Sequence, residues 1–456
     1  MSHTTFADMR SFFEKGSTHA FSFRKEQLRL FRQVVLEHEQ AIYDALYADL
    51  KKSPEEVWAT ETGLLLQEIN YALKHLRKWM QPQKVRTNLL NLPSRSRIYP
   101  SAKGVVLIIG TWNFPLQLLL IPVVGAIAAG NCVVLKPSEH APATASLIEE
   151  MMKKTFPAEF LQVVQGDGAA VIPDMLNSYR FDHIFYTGST AVGKAIYQMA
   201  AKTLTPVTLE LGGKDPCVVE ADANLKVAAR RIGIGKFSNA GQMCVSPDYV
   251  LVHETVKELF LQELKSCIRK FYGDDASVND NYGKIINSRQ FDRLTAYLSQ
   301  GKIVYGGQHD RERLYIAPTI MEDITPGAGL LQEEIFGPIL PVFAFKNREE
   351  ALRMIERNSH PLSFYLFTRN PQTQKEWMTS LPFGNGCINN TAWQFTNHNL
   401  PFGGIGTSGM GGYHGKHSFE VFTYKKAVMK TPTWFDPAIK YPPFQGKLKL
   451  FKRIIR

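Results

Sequence analysis

The stretch Leu118–Leu135 constrains the fold more than any other. It runs 18 residues without a formal charge, which is enough to raise the question of a membrane span. Pro122, Gly125, Gly130 and Asn131 interrupt it, and Gly-Asn is turn chemistry. A better parse is a buried helix over 116–129, a tight turn at Gly130-Asn131 and a buried strand Cys132–Leu135. Upstream, Gly104–Ile109 is another apolar strand. Strand, helix, strand in about 30 residues is the repeating unit of a parallel α/β sheet, whose strands are buried on both faces.

The alternation continues on both sides. Residues 22–80 carry helical periodicity through Leu28, Phe31, Val35 and again through Leu65, Ile69, Leu76. Thr87–Pro100 is polar and aperiodic, and reads as an extended arm. Strands follow at Phe160–Val164, Phe181–Tyr186 and Val207–Leu209, with helices around 172–176 and over 190–201. A second series has helices at 223–240 and 254–272, and strands at Asp248–His253, 303–305, 339–345 and 386–390. The expected fold class is therefore α/β with two parallel-sheet lobes, joined near residues 209–213.

Composition narrows the function. With 44% apolar and 21% charged residues the chain is an ordinary globular one, which excludes collagenous, mucin-like or wholly disordered classes. The net charge of +11 suggests a polyanionic partner until its position is noted. From Lys425 to Arg456 there are nine Lys/Arg and one acid, Asp436, which supplies +8 of the total. The basicity belongs to one end, so no nucleic-acid partner is expected. Five cysteines without a CxxC pair argue against a disulfide framework or structural zinc, and no metal site is expected. The first residues lack the apolar core of a signal peptide, and a cytoplasmic location is expected.

Five short motifs carry chemistry. His183–Lys194 reads strand, Gly188-Ser189 turn, helix with Gly193. The first amides of such a helix have no intrahelical acceptor and suit a phosphate group. A plain glycine turn with a Ser cap would look the same. Lys136 and Glu139 follow the strand ending at Leu135, where parallel sheets bind ligands and where both side chains could reach ribose hydroxyls. Cys244 sits in a glycine-bearing loop, Gly241-Gln-Met-Cys, and is more exposable than Cys132 or Cys217 within apolar strands. Glu210 ends a strand beside Gly212-Gly213 and could activate water, while the Asn113 amide in Trp112-Asn-Phe-Pro could donate to an oxyanion.

Together, Trp112-Asn-Phe-Pro115, Lys136-Pro-Ser-Glu139, Gly188-Ser189-x-x-x-Gly193, Glu210-Leu-Gly-Gly-Lys214, Gly241-Gln-x-Cys244 and Glu334-Ile-Phe336-Gly-Pro338 resemble the aldehyde dehydrogenase superfamily over roughly residues 20–430. The short N-terminus, the run Asn399–Gly404 and Tyr413-His414-Gly-Lys-x-Ser-Phe419 look like class 3 members, which include fatty aldehyde dehydrogenases. The resemblance implies oxidation of an aldehyde to an acid through a thioester on Cys244. Asn113 and the Cys244 amide would hold the oxyanion, and Glu210 would activate the hydrolytic water. It also implies NAD binding, with NADP as the alternative. Lys136 and Glu139 would take the adenosine ribose, and Gly188, Ser189 and Gly193 the pyrophosphate. Glu334 would bind the nicotinamide ribose, Phe336 would pack near the ring, and Trp112, Leu211 and Gly212 would also bind the cofactor. Phe114, Trp393, Phe395 and Phe402 are the expected lining for a hydrophobic aldehyde.

By the same resemblance, residues 1–82 and 101–209 form a Rossmann-like cofactor lobe and 210–418 a catalytic lobe. Residues 83–100 and 419–456 form a small β bridging element that joins two subunits into a homodimer. The end, QGKLKLFKRIIR, mixes cations with apolar residues, which fits weak, peripheral contact with a membrane surface or packing on a partner subunit. Two rivals stay open: a coenzyme A-acylating dehydrogenase, which needs no base at Glu210, and a catalytically silent protein on the same fold.

Overall fold

A computed structural model describes residues 3–358 and 360–455. Arg456 of the basic end lies outside the described residues, as do Met1, Ser2 and Ser359 of the expected lobes. The uncharged stretch resolves into a helix, Gln117–Ala129, with all thirteen residues buried, and then the strand Cys132–Lys136. Gly130 ends the helix at φ +89, a left-handed position that favours glycine. Among the described residues no helix is long and apolar enough to cross a membrane.

The first sheet has the order Gly409–Met410, Val207–Leu211, His183–Gly188, Val105–Ile109, Cys132–Lys136, Leu161–Val163. All neighbours are parallel except the antiparallel Gly409–Met410. The chain order reverses between Val105–Ile109 and His183–Gly188. That is the switch point of a doubly wound sheet, where a crevice opens outside the carboxyl ends of the strands. Strand Val105–Ile109 is buried at every position, which is why it reads as a continuous apolar run.

The second sheet has seven strands in the order Lys302–Tyr305, Thr319–Glu322, Ile339–Phe345, Tyr249–His253, Pro216–Val219, Ser363–Phe367, Asn385–Ile388. Only Lys302–Tyr305 runs antiparallel. The sequence reading did not anticipate Thr319–Glu322 or Ser363–Phe367. A third, three-stranded sheet pairs Arg95–Ala102 with Thr423–Lys430 over eight residues, from Thr423 opposite Ala102 to Lys430 opposite Arg95.

Three expectations shift in detail. The helix expected over 223–240 stops at Phe237, because Asn239 and Ala240 take left-handed conformations (φ 49 and 51) and turn the chain. The helix expected from 254 begins at Lys257, after a short 3-10 turn. Phe402, Tyr413, Phe419 and Phe422 pack into the core of the first lobe, although most of that segment was expected in the second. The cause is the open edge of strand Val207–Leu211: Gly409 pairs there opposite Glu210, and the buried aromatic residues cover the sheet.

Candidate active site

The carboxyl edge of the first sheet gathers the motifs. Trp112 and Asn113 follow strand Val105–Ile109, Lys136 ends Cys132–Lys136, Gly188 ends its strand, and Glu210 and Leu211 end Val207–Leu211. Cys244 comes from the other lobe, on the loop after helix Leu225–Phe237. Its thiol is half-buried and lines an apolar pocket, whereas Cys132 and Cys217 are fully buried in strands.

Three consecutive left-handed residues, Asn239, Ala240 and Gly241, aim that loop. Two of them are not glycine, so the turn persists only because its surroundings over-determine it. Asn239 donates through Nδ2 to the carbonyls of Asn113 (2.8 Å) and Gln242 (3.1 Å), and its own N–H reaches Glu56 (3.1 Å). Gln242 donates to the carbonyls of Asn239 (3.0 Å) and Lys284 (2.9 Å) and accepts from the Ile286 N–H (3.0 Å). Asn113 donates one amide N–H to the Gln242 carbonyl at 3.1 Å. A primary amide has two such hydrogens, which leaves one for a ligand.

Behind Asn113 lies a fully buried ion pair. The Lys52 ammonium contacts Glu61 at 2.6 Å, donates to the Asn113 carbonyl at 3.0 Å and sits 3.8 Å from the Phe114 ring centroid. Glu61 also accepts from the N–H groups of Leu116 (2.9 Å) and Gln117 (3.2 Å) at the start of the buried helix. Sequence reasoning missed both residues. A Lys-Lys pair at 51–52 looks like solvated surface, and nothing local marks it otherwise.

Glu210 is 2% exposed, and its Oε1 has no hydrogen-bond partner. Burial pushes its carboxyl well above the usual range. Burial also raises the Cys244 thiol, and negative charge at Glu210, Glu334 and Asp215 adds to it. The thiol is therefore not a ready thiolate, and a base must take its proton.

The pocket comprises about 720 Å³, counting its open mouth. Phe114, Trp393, Phe395 and Phe402 all line it. Ile234, Met243, Tyr413 and His414 join them and were missed as lining, although the Tyr413-His414 motif was in view. Glu68 stands behind His414. Burial favours its neutral form, but His398 and His414 outweigh that and bring its pKa down to about 2. It also accepts the Gly415 N–H at 2.7 Å.

The residues at the sheet edge fit a dinucleotide. Gly188 (φ +157) has no room for a side chain against the Tyr186 hydroxyl, and a Cβ at Gly193 would lie 2.6 Å from Leu211. The helix Thr190–Ala201 thus presents its N-terminus closely to whatever occupies the edge. Ser189 serves as the N-cap of that helix, accepting from the Val192 N–H at 3.4 Å. Lys136 donates to Glu139 at 3.0 Å and to the Pro137 carbonyl at 2.7 Å, and Glu139 accepts the Gly168 N–H at 2.9 Å. Burial works against the Glu139 carboxylate, yet these bonds hold its pKa below the usual value. Trp112 meets Phe336 edge-on at 5.2 Å, and a Cβ at Gly212 would run into the Glu334 carboxylate. Glu334 is pushed up to about 8 by burial and Asp248, against Lys214, Arg293 and Lys236.

A doubly wound sheet whose dinucleotide edge faces a thiol in an apolar pocket is the layout of an NAD(P)-dependent oxidoreductase. Residues 3–428 match the aldehyde dehydrogenase family. Over 453 residues the chain is 42% identical to the 4,4'-diaponeurosporen-aldehyde dehydrogenase of Staphylococcus aureus, covering 99% of this chain and 98% of that one. It is 41% identical over 441 residues to the dimeric NADP-preferring aldehyde dehydrogenase of Canis lupus familiaris, covering 96% and 97%. The substrate-bound structure of Staphylococcus aureus AldH superposes with a TM-score of 0.96 at 42% identity, over 99% of both chains. The chain belongs to the aldehyde dehydrogenase family, enzymes that oxidise aldehydes with NAD(P).

Proposed function

We propose that the substrates are hydrophobic aldehydes, aliphatic of medium to long chain or aromatic, and that Cys244, Glu210 and Asn113 carry out the oxidation. The observation that carries this reading is the apolar pocket with the Cys244 thiol in its wall and the buried, unpartnered Glu210 electrostatically coupled to it. Glu210 takes the thiol proton, and the sulfur adds to the aldehyde carbonyl carbon. The free N–H of Asn113 and the Cys244 amide receive the resulting oxyanion. Bound NAD(P) supplies the acceptor for the hydride that leaves this adduct. Glu210 releases the thiol proton to solvent and then removes a proton from water, which attacks the thioester carbonyl; the sulfur leaves and takes that proton back, freeing the acid and the thiol. A carboxylate kept at the sulfur favours hydrolysis over transfer to coenzyme A, because transfer needs no water-activating base.

Glu334 and Phe336 would hold the nicotinamide ribose and ring, Trp112, Leu211 and Gly212 complete that end, and Lys136 with Glu139 would take the adenosine ribose. An anchored Glu139 carboxylate opposes a 2′-phosphate, which favours NAD over NADP. Trp393 and Ile234 line the pocket while 48% and 38% exposed, so they mark its mouth. A long chain would reach them, and a short one would not. Rates of NADH formation with propanal, hexanal, dodecanal and benzaldehyde, each run with both cofactors, test the assignment. Trp393→Ala should lower kcat/KM about tenfold for dodecanal and little for propanal, the loss expected for one aromatic contact. Equal loss across the series would remove Trp393 from the substrate path.

The largely exposed end supports two further readings. Thr423–Lys430 is an edge strand, which suits pairing in a homodimer through the bridging sheet. Beyond it Trp434, Phe435, Tyr441, Phe444, Leu448 and Leu450 are exposed among lysines, a pattern that fits weak contact with an anionic membrane surface. Light scattering and sedimentation with phosphatidylglycerol vesicles, on the full chain and on one ending at Phe444, separate the two. Loss of vesicle binding with the dimer mass kept supports the membrane role, and equal recovery in the supernatant sinks it.

A further inference from the structure

We propose that Arg293, with the buried pair Lys214–Asp248, is a positioning assembly for the cofactor: it fixes the backbone of the Glu334–Phe336 loop. The proposal rests on the reading above that Glu334 and Phe336 hold the nicotinamide end.

Arg293 lies on helix Ser288–Tyr297 and spans two successive carbonyls of the loop. It donates to Ile335 O at 2.7 Å and to Glu334 O at 3.3 Å. Its remaining bonds, to Gln290 Oε1 (2.8 Å) and the Tyr297 hydroxyl (3.0 Å), lock the guanidinium to its own helix. Lys214 grips the approach to the loop, donating to Leu330 O (2.7 Å) and Glu333 O (2.9 Å) and pairing with Asp248. These three bonds use all three of its donors. Asp248 in turn accepts the Ile335 N–H at 2.9 Å. On the loop side every partner is a main-chain group, so the assembly sets the path of the backbone and leaves the Glu334 and Phe336 side chains free for a ligand.

Such control is required here. Phe336 sits at φ 49, a left-handed conformation that a phenylalanine keeps only when its neighbours impose it. The loop also abuts the nucleophile's turn, since a Cβ at Gly241 would run into the Gly337 carbonyl. Lys214 follows Glu210 by four residues, so one short segment carries the base and part of the clamp. Releasing the clamp would let Glu334 leave its place against Gly212 while the aldehyde pocket, built from other residues, stays formed.

The test is NADH titration by fluorescence on the full-length enzyme, with KM for NAD and for hexanal and the melting temperature measured alongside. Arg293→Ala should raise the NADH Kd and the KM for NAD about tenfold, the scale of one or two charge-assisted hydrogen bonds, and change the hexanal KM less than about twofold. Arg293→Lys should fold like the parent and rescue little, because an ammonium cannot span two carbonyls. Added guanidinium ion should restore part of the NADH affinity of Arg293→Ala. Glu334→Gln, weakening NADH binding by itself, checks the underlying reading. Unchanged NADH affinity in both Arg293 variants, with Glu334→Gln impaired, overturns the clamp alone. Unchanged affinity in Glu334→Gln overturns the reading beneath it. A parallel loss of NADH affinity, hexanal KM and melting temperature assigns Arg293 a structural role and also overturns the proposal.

Discussion

Cys244→Ala is expected to lower kcat for aldehyde oxidation at least about ten-thousand-fold while leaving the fold intact, since a half-buried thiol is being replaced by a smaller apolar group. Glu210→Gln makes the sharper comparison. It keeps the shape of a fully buried side chain and removes its basicity. In the proposed mechanism two steps need that base: deprotonation of a thiol whose pKa is raised, and activation of water against the thioester. The expected result is a fall in kcat of about a hundred- to ten-thousand-fold. At high pH the thiol ionises unaided, so the first step returns there, and a rapid burst of NADH should precede a slow steady state.

The pH dependence of the parent follows from the same two groups. A base works only when deprotonated, and Glu210 has a carboxyl raised far above the usual range by burial. Activity should therefore rise with pH through the Glu210 titration and be lost as pH falls below it. Rapid-quench and steady-state rates across neutral to alkaline pH check this. A pH-independent kcat, or a Glu210→Gln variant with parental turnover, would remove Glu210 from the mechanism.

Lys52→Met should have the largest effect on stability. The change strips the partner from a carboxylate that has no exposure to water, and breaking a buried pair from one side costs about 3–5 kcal/mol. It also takes one of two donors from the carbonyl of Asn113, the proposed oxyanion donor, and kcat should fall in the variant that remains folded. The double change Lys52→Met/Glu61→Gln removes both charges and should recover most of the stability. Denaturant midpoints measure the first effect and the double-mutant cycle isolates the pair. A single variant within about 1 kcal/mol of the parent would show that the pair carries no such weight.

Much of the layout was legible because it is local. Apolar runs punctuated by Gly130-Asn131 place one helix and one strand with few alternatives, and strand ends mark where Asn113, Lys136, Gly188 and Glu210 must lie. Cys244 stood out among five cysteines because its neighbours include a glycine and no apolar strand. Lys52, Glu61 and Arg293 were invisible for the opposite reason. Each is a charged residue on a helix-rich surface pattern, and its importance arises from partners 9 to 61 positions away. The left-handed turn at Asn239 and Ala240 was equally hidden, since no local signal marks a strain that distant side chains impose.

The sequence by itself determined the α/β class and the sheet edge at which its motifs gather, and it singled out Cys244 as the exposable thiol, because hydrophobic periodicity and turn residues act within a few positions. Only the tertiary structure decided how that thiol is presented. The return of Phe402–Phe422 onto the first lobe closes the pocket, and the buried Lys52 of the Lys52–Glu61 pair holds the Asn113 carbonyl beside it. Those contacts form only after the chain has collapsed. In a water-excluding interior a charge must find its partner wherever the fold brings one, however far apart the two lie in sequence.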